Sequence, residues 1–168
     1  MLGQVDKYSW QDTGSSFGLS EVLAAYLYGQ LEQREVILAK RRAVSETYRH
    51  LLEPIAEEFS LHLPVVPADR EQAYHMFYVV LPDRPTRDTV IESMREQGVQ
   101  PTFHYVPLHS APAGIKFAAR PTDCPVTDDV SGRLLRLPFY NNLSLESAER
   151  VVDVFCKALV DARSQARS

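Results

Sequence analysis

Cysteine is scarce in this chain. Cys124 and Cys156 are the only two in 168 residues. They lack CxxC spacing, which argues against a disulfide framework and for free thiols of a reducing compartment. No apolar run approaches the roughly 18 residues needed to cross a bilayer. The residues after Met1 include Gly3, Gln4 and Asp6, so no secretory signal is expected. Together these absences predict a soluble, cytoplasmic protein with no membrane partner. Basic charge is not in excess either: 18 Lys+Arg stand against 22 Asp+Glu, a net charge of −4. Without a basic stripe, no nucleic-acid partner is expected. The histidines His50, His62, His75, His104 and His109 show neither HxxxH nor HExxH spacing, so no metal site is predicted. There is no Walker phosphate loop, no GxGxxG, no internal repeat and no low-complexity segment.

What is present is enough apolar side chain for a sizeable core, 45% of residues. Residues 1–18 carry Tyr8, Trp10 and Phe17 without a clean period and read as a loop. From Leu19 the pattern is helical, with Leu23, Tyr26, Leu27 and Leu31 three and four apart. The polar patch Glu32-Gln33-Arg34-Glu35 predicts a bend. A second stripe then runs through Val36, Leu38, Val44, Tyr48, Leu51, Leu52, Ile55 and Phe59. Helix of this length suits a connector between domains better than a compact core. Beyond it, 60–66 reads as extended, 75–81 as a strand closed by Pro82, and 86–97 as a helix capped by Thr86 and stopped at Gly98. A strand over 99–106, an irregular loop over 108–125, a helix over 126–133, a strand over 134–137 and a helix over 145–162 complete the pattern. The expected fold is α/β, specifically an α+β small domain: a long connector helix, then an antiparallel-rich sheet with helices on one face. Residues 1–35 are expected to stay outside that core, and 163–168 to form a frayed tail.

Two groups of residues carry candidate chemistry. Gly14-Ser15-Ser16, followed by Ser20, places hydroxyls and free N–H groups at a helix start, a setting that favours phosphate. Ser20 serves equally well as a plain N-cap. The run Phe103-His104-Tyr105-Val106-Pro107-Leu108-His109 sets two imidazoles and a phenol at a strand end, where binding groups collect. Hydrogen bonds from such groups suit a phosphate or a sugar. The same run is also compatible with a packed Tyr105 and a solvated His109. The cluster Lys40-Arg41-Arg42 reads as a solvated helix face.

The phrases DKYSWQDTGSSFGLSEVLAAYLYGQLE, HMFYVVL, FHYVPLHSAPAG and RLLRLPFYNNLS, in this order and spacing, resemble the C-terminal half of a sugar-nucleotide aminotransferase. The family is the DegT/DnrJ/EryC1/StrS group of pyridoxal-phosphate enzymes. Within it, the likeness is to the subgroup that makes dTDP-4-amino-4,6-dideoxygalactose. The resemblance covers residues 2–160 and implies the C-terminal part of a fold-type-I aminotransferase. Residues 1–35 would then be a remnant of the large cofactor domain, 36–59 the connector helix and 60–162 the small domain. It implies pyridoxal phosphate as cofactor and a homodimer with shared active sites, or a separately encoded N-terminal cofactor domain as partner. The family's turn, Gly-Tyr-Asn-x-Arg-Met, corresponds to Gly14-Ser15-Ser16-Phe17-Gly18-Leu19. Ser15 and Ser16 are thereby implied to face the cofactor phosphate, and His104, Tyr105 and His109 the nucleotide sugar. Transamination needs a Schiff-base lysine and an acidic partner for the pyridine nitrogen. In the family both lie upstream of this turn, and Lys7, Lys40, Lys116 and Lys157 all read as surface lysines. The resemblance therefore implies a truncated or split aminotransferase that is inactive alone and supplies no catalytic residue. The competing reading is a non-catalytic module that self-associates, or binds an N-terminal partner, through an exposed 19–35 helix.

Overall fold

The computed structural model of the protein describes residues 9–14 and 18–165. A polar break at Gln33 divides the expected long helix in two, α1 (Glu21–Glu32) and α2 (Arg34–Ala56). Ser20 caps α1, its Oγ accepting from the Leu23 N–H at 3.4 Å. None of the α1 residues is buried.

The core forms where α2 meets the last helix, α6 (Leu145–Gln165), and where α6 meets α3 (Arg84–Glu96). Val44, Tyr48 and Leu52 of α2 pack with Val90, Ile91 and Met94 of α3 and with Val151, Phe155 and Leu159 of α6. Tyr48 is fully buried, stacks at 5.2 Å on Phe77, and donates its hydroxyl proton to the Pro138 carbonyl at 2.7 Å. The second half of the long helix thus belongs to the main core. Arg41, expected in solvent, instead bonds Asn141 Oδ1 at 2.5 Å and fastens α2 to the turn before α6. The helix α6 continues to Gln165, so the expected tail begins with helical residues.

The sheet is smaller than its apolar runs suggest. Its strands are β1 (Tyr78–Val80), β2 (Thr102–Phe103) and β3 (Leu134–Arg136), in the order β1-β3-β2 and antiparallel throughout. Residues 60–66 contribute a single bridge, His62 to Val80. Phe77 and Leu81, flanking β1, are buried, and they continue its pairing: Leu137 donates to the Phe77 carbonyl and Leu81 to the Arg133 carbonyl, both at 3.1 Å.

Local chemistry sets the remaining boundaries. α3 begins two residues earlier than expected, because Asp83, not Thr86, is its cap and accepts from the Thr86 N–H at 2.7 Å. It ends at Gly98, whose φ of 77° lets Gly98 and Val99 return bonds to Arg95 and Met94, both at 3.0 Å. The proline-rich loop hides a short helix, α4 (Pro112–Phe117), before α5 (Pro125–Arg133). α4 also anchors residues 10–12. Ala113 donates to the Trp10 carbonyl at 2.9 Å, Lys116 pairs with Asp12 at 2.9 Å, and the Trp10 and Phe117 rings lie 5.8 Å apart.

Candidate functional site

His104 and Tyr105, just beyond β2, line a cleft together with Pro107. The cleft has a volume of about 520 Å³ and lies between the start of α3, the segment 103–107 and α5. Arg84, Arg87 and Asp88 form one wall, and Asp128, Ser131 and Gly132 another. The His104 and Tyr105 rings meet edge-on at 5.6 Å, with Tyr105 exposed.

His109 does not share this cleft. It lines an adjoining cavity of about 380 Å³, with its Nε2 held 3.1 Å from Asp128 Oδ2. Ser110 and Asp128 line both spaces, so the histidines stand on either side of one partition. Ser15 and Ser16 lie outside the described residues. Gly14-Ser15-Ser16-Phe17-Gly18 also spells Gly-x-Ser-x-Gly. A nucleophile elbow requires a strand leading into that turn, and residues 9–14 contain none.

The cleft is lined by charges of both signs, with Asp88 3.6 Å from Arg84 and Asp128 on the other wall. His104 is held below its ordinary value, mainly by burial and further by the positive charges of Arg136 and His75. Its Nδ1 is buried without a hydrogen-bond partner. Arg87 is 6% exposed, its guanidinium stands 5.7 Å over the Phe103 ring, and its Nε approaches Asp88 Oδ1 at 3.0 Å without hydrogen-bond geometry. Burial is the main cause lowering its pKa, Arg84 adding to this and Asp88 opposing it. Sequence reading missed Arg84, Arg87, Asp128 and Arg136. A signal for Arg87 existed: it falls three, four and seven residues before Val90, Ile91 and Met94, on the inward face of α3.

The described lysines do not line either cavity. Lys40 and Lys157 are exposed, and Lys116 is paired with Asp12 while lying 4.8 Å over the Phe117 ring. These positions do not fit covalent attachment of an aldehyde cofactor. The arginine, imidazole and phenol groups fit a non-covalent wall facing an anionic, hydroxyl-rich ligand. Among the described residues, no three His, Cys, Asp or Glu side chains converge on a metal position, and no helix is long and apolar enough to cross a membrane.

The profile of the DegT/DnrJ/EryC1/StrS aminotransferase family matches residues 1–156 of this chain. The chain belongs to that family. Pyridoxal phosphate is the cofactor of these sugar aminotransferases. One similar DegT-family protein is the dTDP-3-amino-3,4,6-trideoxy-alpha-D-glucose transaminase of Micromonospora megalomicea subsp. nigra. It is 29% identical over 148 residues, which are 87% of this chain and 39% of the relative. The crystal structure of S. venezuelae DesV in complex with ketimine intermediate is 26% identical, with a TM-score of 0.74 over 94% of this chain and 41% of that one. NtdA from Bacillus subtilis, solved with bound cofactor PMP, is 22% identical and shares the fold, with a TM-score of 0.62 over 71% of this chain and 28% of that one. The chain thus spans about 40% of the length of its DegT-family relatives. The mixed fold of helices with a small antiparallel sheet is that of part of an aminotransferase.

Proposed function

We propose that this chain is the C-terminal, substrate-side part of a cytoplasmic sugar-nucleotide aminotransferase. In this reading 1–35 belongs to a large cofactor domain, 36–59 is the connector and 60–162 is the small domain. His104, Tyr105 and His109 face the nucleotide sugar, and Ser15 and Ser16 face the phosphate of pyridoxal phosphate held by a partner subunit or by a separate cofactor domain. Pyridoxal phosphate, when bound, supplies the electron sink for moving an amino group. The residues of this chain bind and orient. The whole reaction would carry an amino group from glutamate to C4 of a dTDP-4-keto-6-deoxyhexose. Support for position 4 comes from the motif resemblance, whereas the Micromonospora relative is named for a 3-amino sugar.

The observation that carries the reading is the family match over 1–156, together with a polar cleft holding His104 and Tyr105 and, among the described residues, no lysine. The 168 residues alone are expected not to turn over, because the lysine and the pyridine-nitrogen acid would come from other polypeptide. The test is to express the chain with and without a cofactor domain bearing that lysine, then assay dTDP-3-keto and dTDP-4-keto sugars. Turnover, or the visible absorbance of lysine-bound pyridoxal phosphate, from the 168 residues alone would refute the inactivity claim. A failure of the added domain to restore turnover would count against the split-enzyme reading.

A second reading rests on α1. Leu23, Tyr26, Leu27 and Leu31 are all exposed, so α1 offers an unpartnered apolar surface. Self-association through it, without any melting shift from pyridoxal phosphate or dTDP, would favour a non-catalytic interaction module.

A further inference from the structure

An imidazole at a loop mouth can serve a phosphate or a sugar, and the surroundings of His109 choose between them. His109 stands shortly before α4, with its Nε2 at 3.1 Å from Oδ2 of Asp128, in the first turn of α5. Its side chain is only 16% exposed, whereas that of Asp128 is 48% exposed. Contact with water and a place near a helix N-terminus both favour the carboxylate form of an acid. A carboxylate only accepts, so the proton between the two groups belongs to His109 Nε2. In the neutral imidazole, Nδ1 then carries a lone pair and no proton. Such a nitrogen accepts from a hydroxyl and repels the oxygens of a phosphate.

The lining of the cavity points the same way. Arg120, Asp123 and Asp128 all line it beside His109. With the imidazole neutral, these three groups carry more negative than positive charge, which disfavours an anion. The pair contributes little to stability, since one partner is half in water. What it fixes is the ring's orientation and tautomer. Asp128 also lines the larger cleft that holds His104 and Tyr105, so one carboxylate sets the partition between the two spaces.

We propose that Asp128 is a positioning residue that holds His109 as its Nε2–H tautomer, so that Nδ1 accepts a hydrogen bond from a ligand hydroxyl. That hydroxyl belongs to the hexose or to the deoxyribose of a nucleotide sugar. The identity of the ligand rests on the substrate-side reading above, whereas the state of the imidazole does not.

The experiment takes the full 168-residue chain with 15N-labelled histidine at about pH 8, where an ordinary imidazole is neutral. The His109 Nε2 proton should be observable by NMR and slow to exchange, with Nδ1 at the frequency of an unprotonated ring nitrogen. Asp128→Ala should lose the slow proton and Asp128→Glu should keep it. Asp69→Asn, which removes an exposed pair with Arg70, should change nothing. Binding is then measured for dTDP-glucose, dTDP and inorganic phosphate. Asp128→Asn should weaken dTDP-glucose about tenfold, the worth of one hydrogen bond, and leave any binding of inorganic phosphate unchanged. Equal weakening of dTDP assigns the hydroxyl to the deoxyribose, and unchanged dTDP binding assigns it to the hexose. Absence of the Nε2 proton signature in the wild type, its survival in a folded Asp128→Ala protein, or nucleotide affinities indifferent to Asp128→Asn overturns the proposal. A wild-type chain that shows the signature yet binds neither nucleotide refutes the substrate-side reading, and the hydroxyl partner with it.

Discussion

Gly114→Ala is the sharpest perturbation the fold offers, because two principles give it opposite signs. In an ordinary helix interior, replacing glycine by alanine stabilises by about 0.5–1 kcal/mol. At Gly114, a Cβ would stand 1.6 Å from the Leu108 carbonyl oxygen and 2.7 Å from its carbon. Both are backbone atoms, so no rotamer change relieves the contact. Reaching ordinary van der Waals distance requires α4 and the 107–111 turn to separate by well over an ångström. That movement strains the bonds from Ile115 to Ala111 and from Ala113 to Trp10, both at 2.9 Å. Two weakened hydrogen bonds at about 1 kcal/mol each, plus overpacking of about 1–3 kcal/mol, give a local cost of about 3–5 kcal/mol. α4 lies outside the main hydrophobic cluster, so the cost should appear as local opening with only a partial loss of global stability. Trp10 is the only tryptophan and packs on Phe117, which makes its emission a direct report on α4 docking. The variant should show red-shifted Trp10 fluorescence and faster amide exchange at Ala113, Ile115 and Ala118. Unchanged emission with a raised melting temperature would refute the reasoning.

Tyr48→Phe should cost about 1–2 kcal/mol in urea unfolding, since it strips the Pro138 carbonyl of its donor in a fully buried setting. Phe155→Ala, also fully buried, should cost about 3–5 kcal/mol by the same assay. His104 is depressed by burial, then by Arg136 and His75, so the folded state takes up its proton later than the unfolded chain. That contribution to stability is fully present above the unfolded value, near 6.5, and is lost as pH falls below it toward the folded value. Urea midpoints across this window should fall on acidification, and fall less in His104→Gln. Tyr26→Asp with Leu27→Asp should abolish any concentration-dependent sedimentation while leaving the melting temperature nearly unchanged, because α1 buries no residue.

The helices were legible where apolar spacing and caps agreed. Val90, Ile91 and Met94 of α3, and Val151, Val152 and Val154 of α6, face inward as their period demands. The strands were overread in length, most of all over 99–106, where Pro101 and Pro107 bracket a regular strand of only Thr102–Phe103. α4 was hidden because its prolines resemble loop punctuation, although Pro112 sits at a first-turn position that tolerates proline. At the candidate site, the His104-Tyr105 strand end was visible as a motif. Arg87 and Arg136 were not, because each is an arginine at an ordinary position whose meaning comes from neighbours remote in sequence. Arg87 is set over Phe103, and Arg136 lies between Tyr78 and Thr102 across the ladder.

The strand order has a consequence for how the chain is made. β3 is the last strand to be synthesised, yet it lies between β1 and β2, which share no ladder with each other. As the chain emerges from the ribosome, Tyr78–Val80 and Thr102–Phe103 must wait for Leu134–Arg136 before either can enter the sheet. His104 and the cleft beside it therefore take their final form late in synthesis, and until then the backbone pairing of β1 is limited, among the described residues, to its bridge to His62.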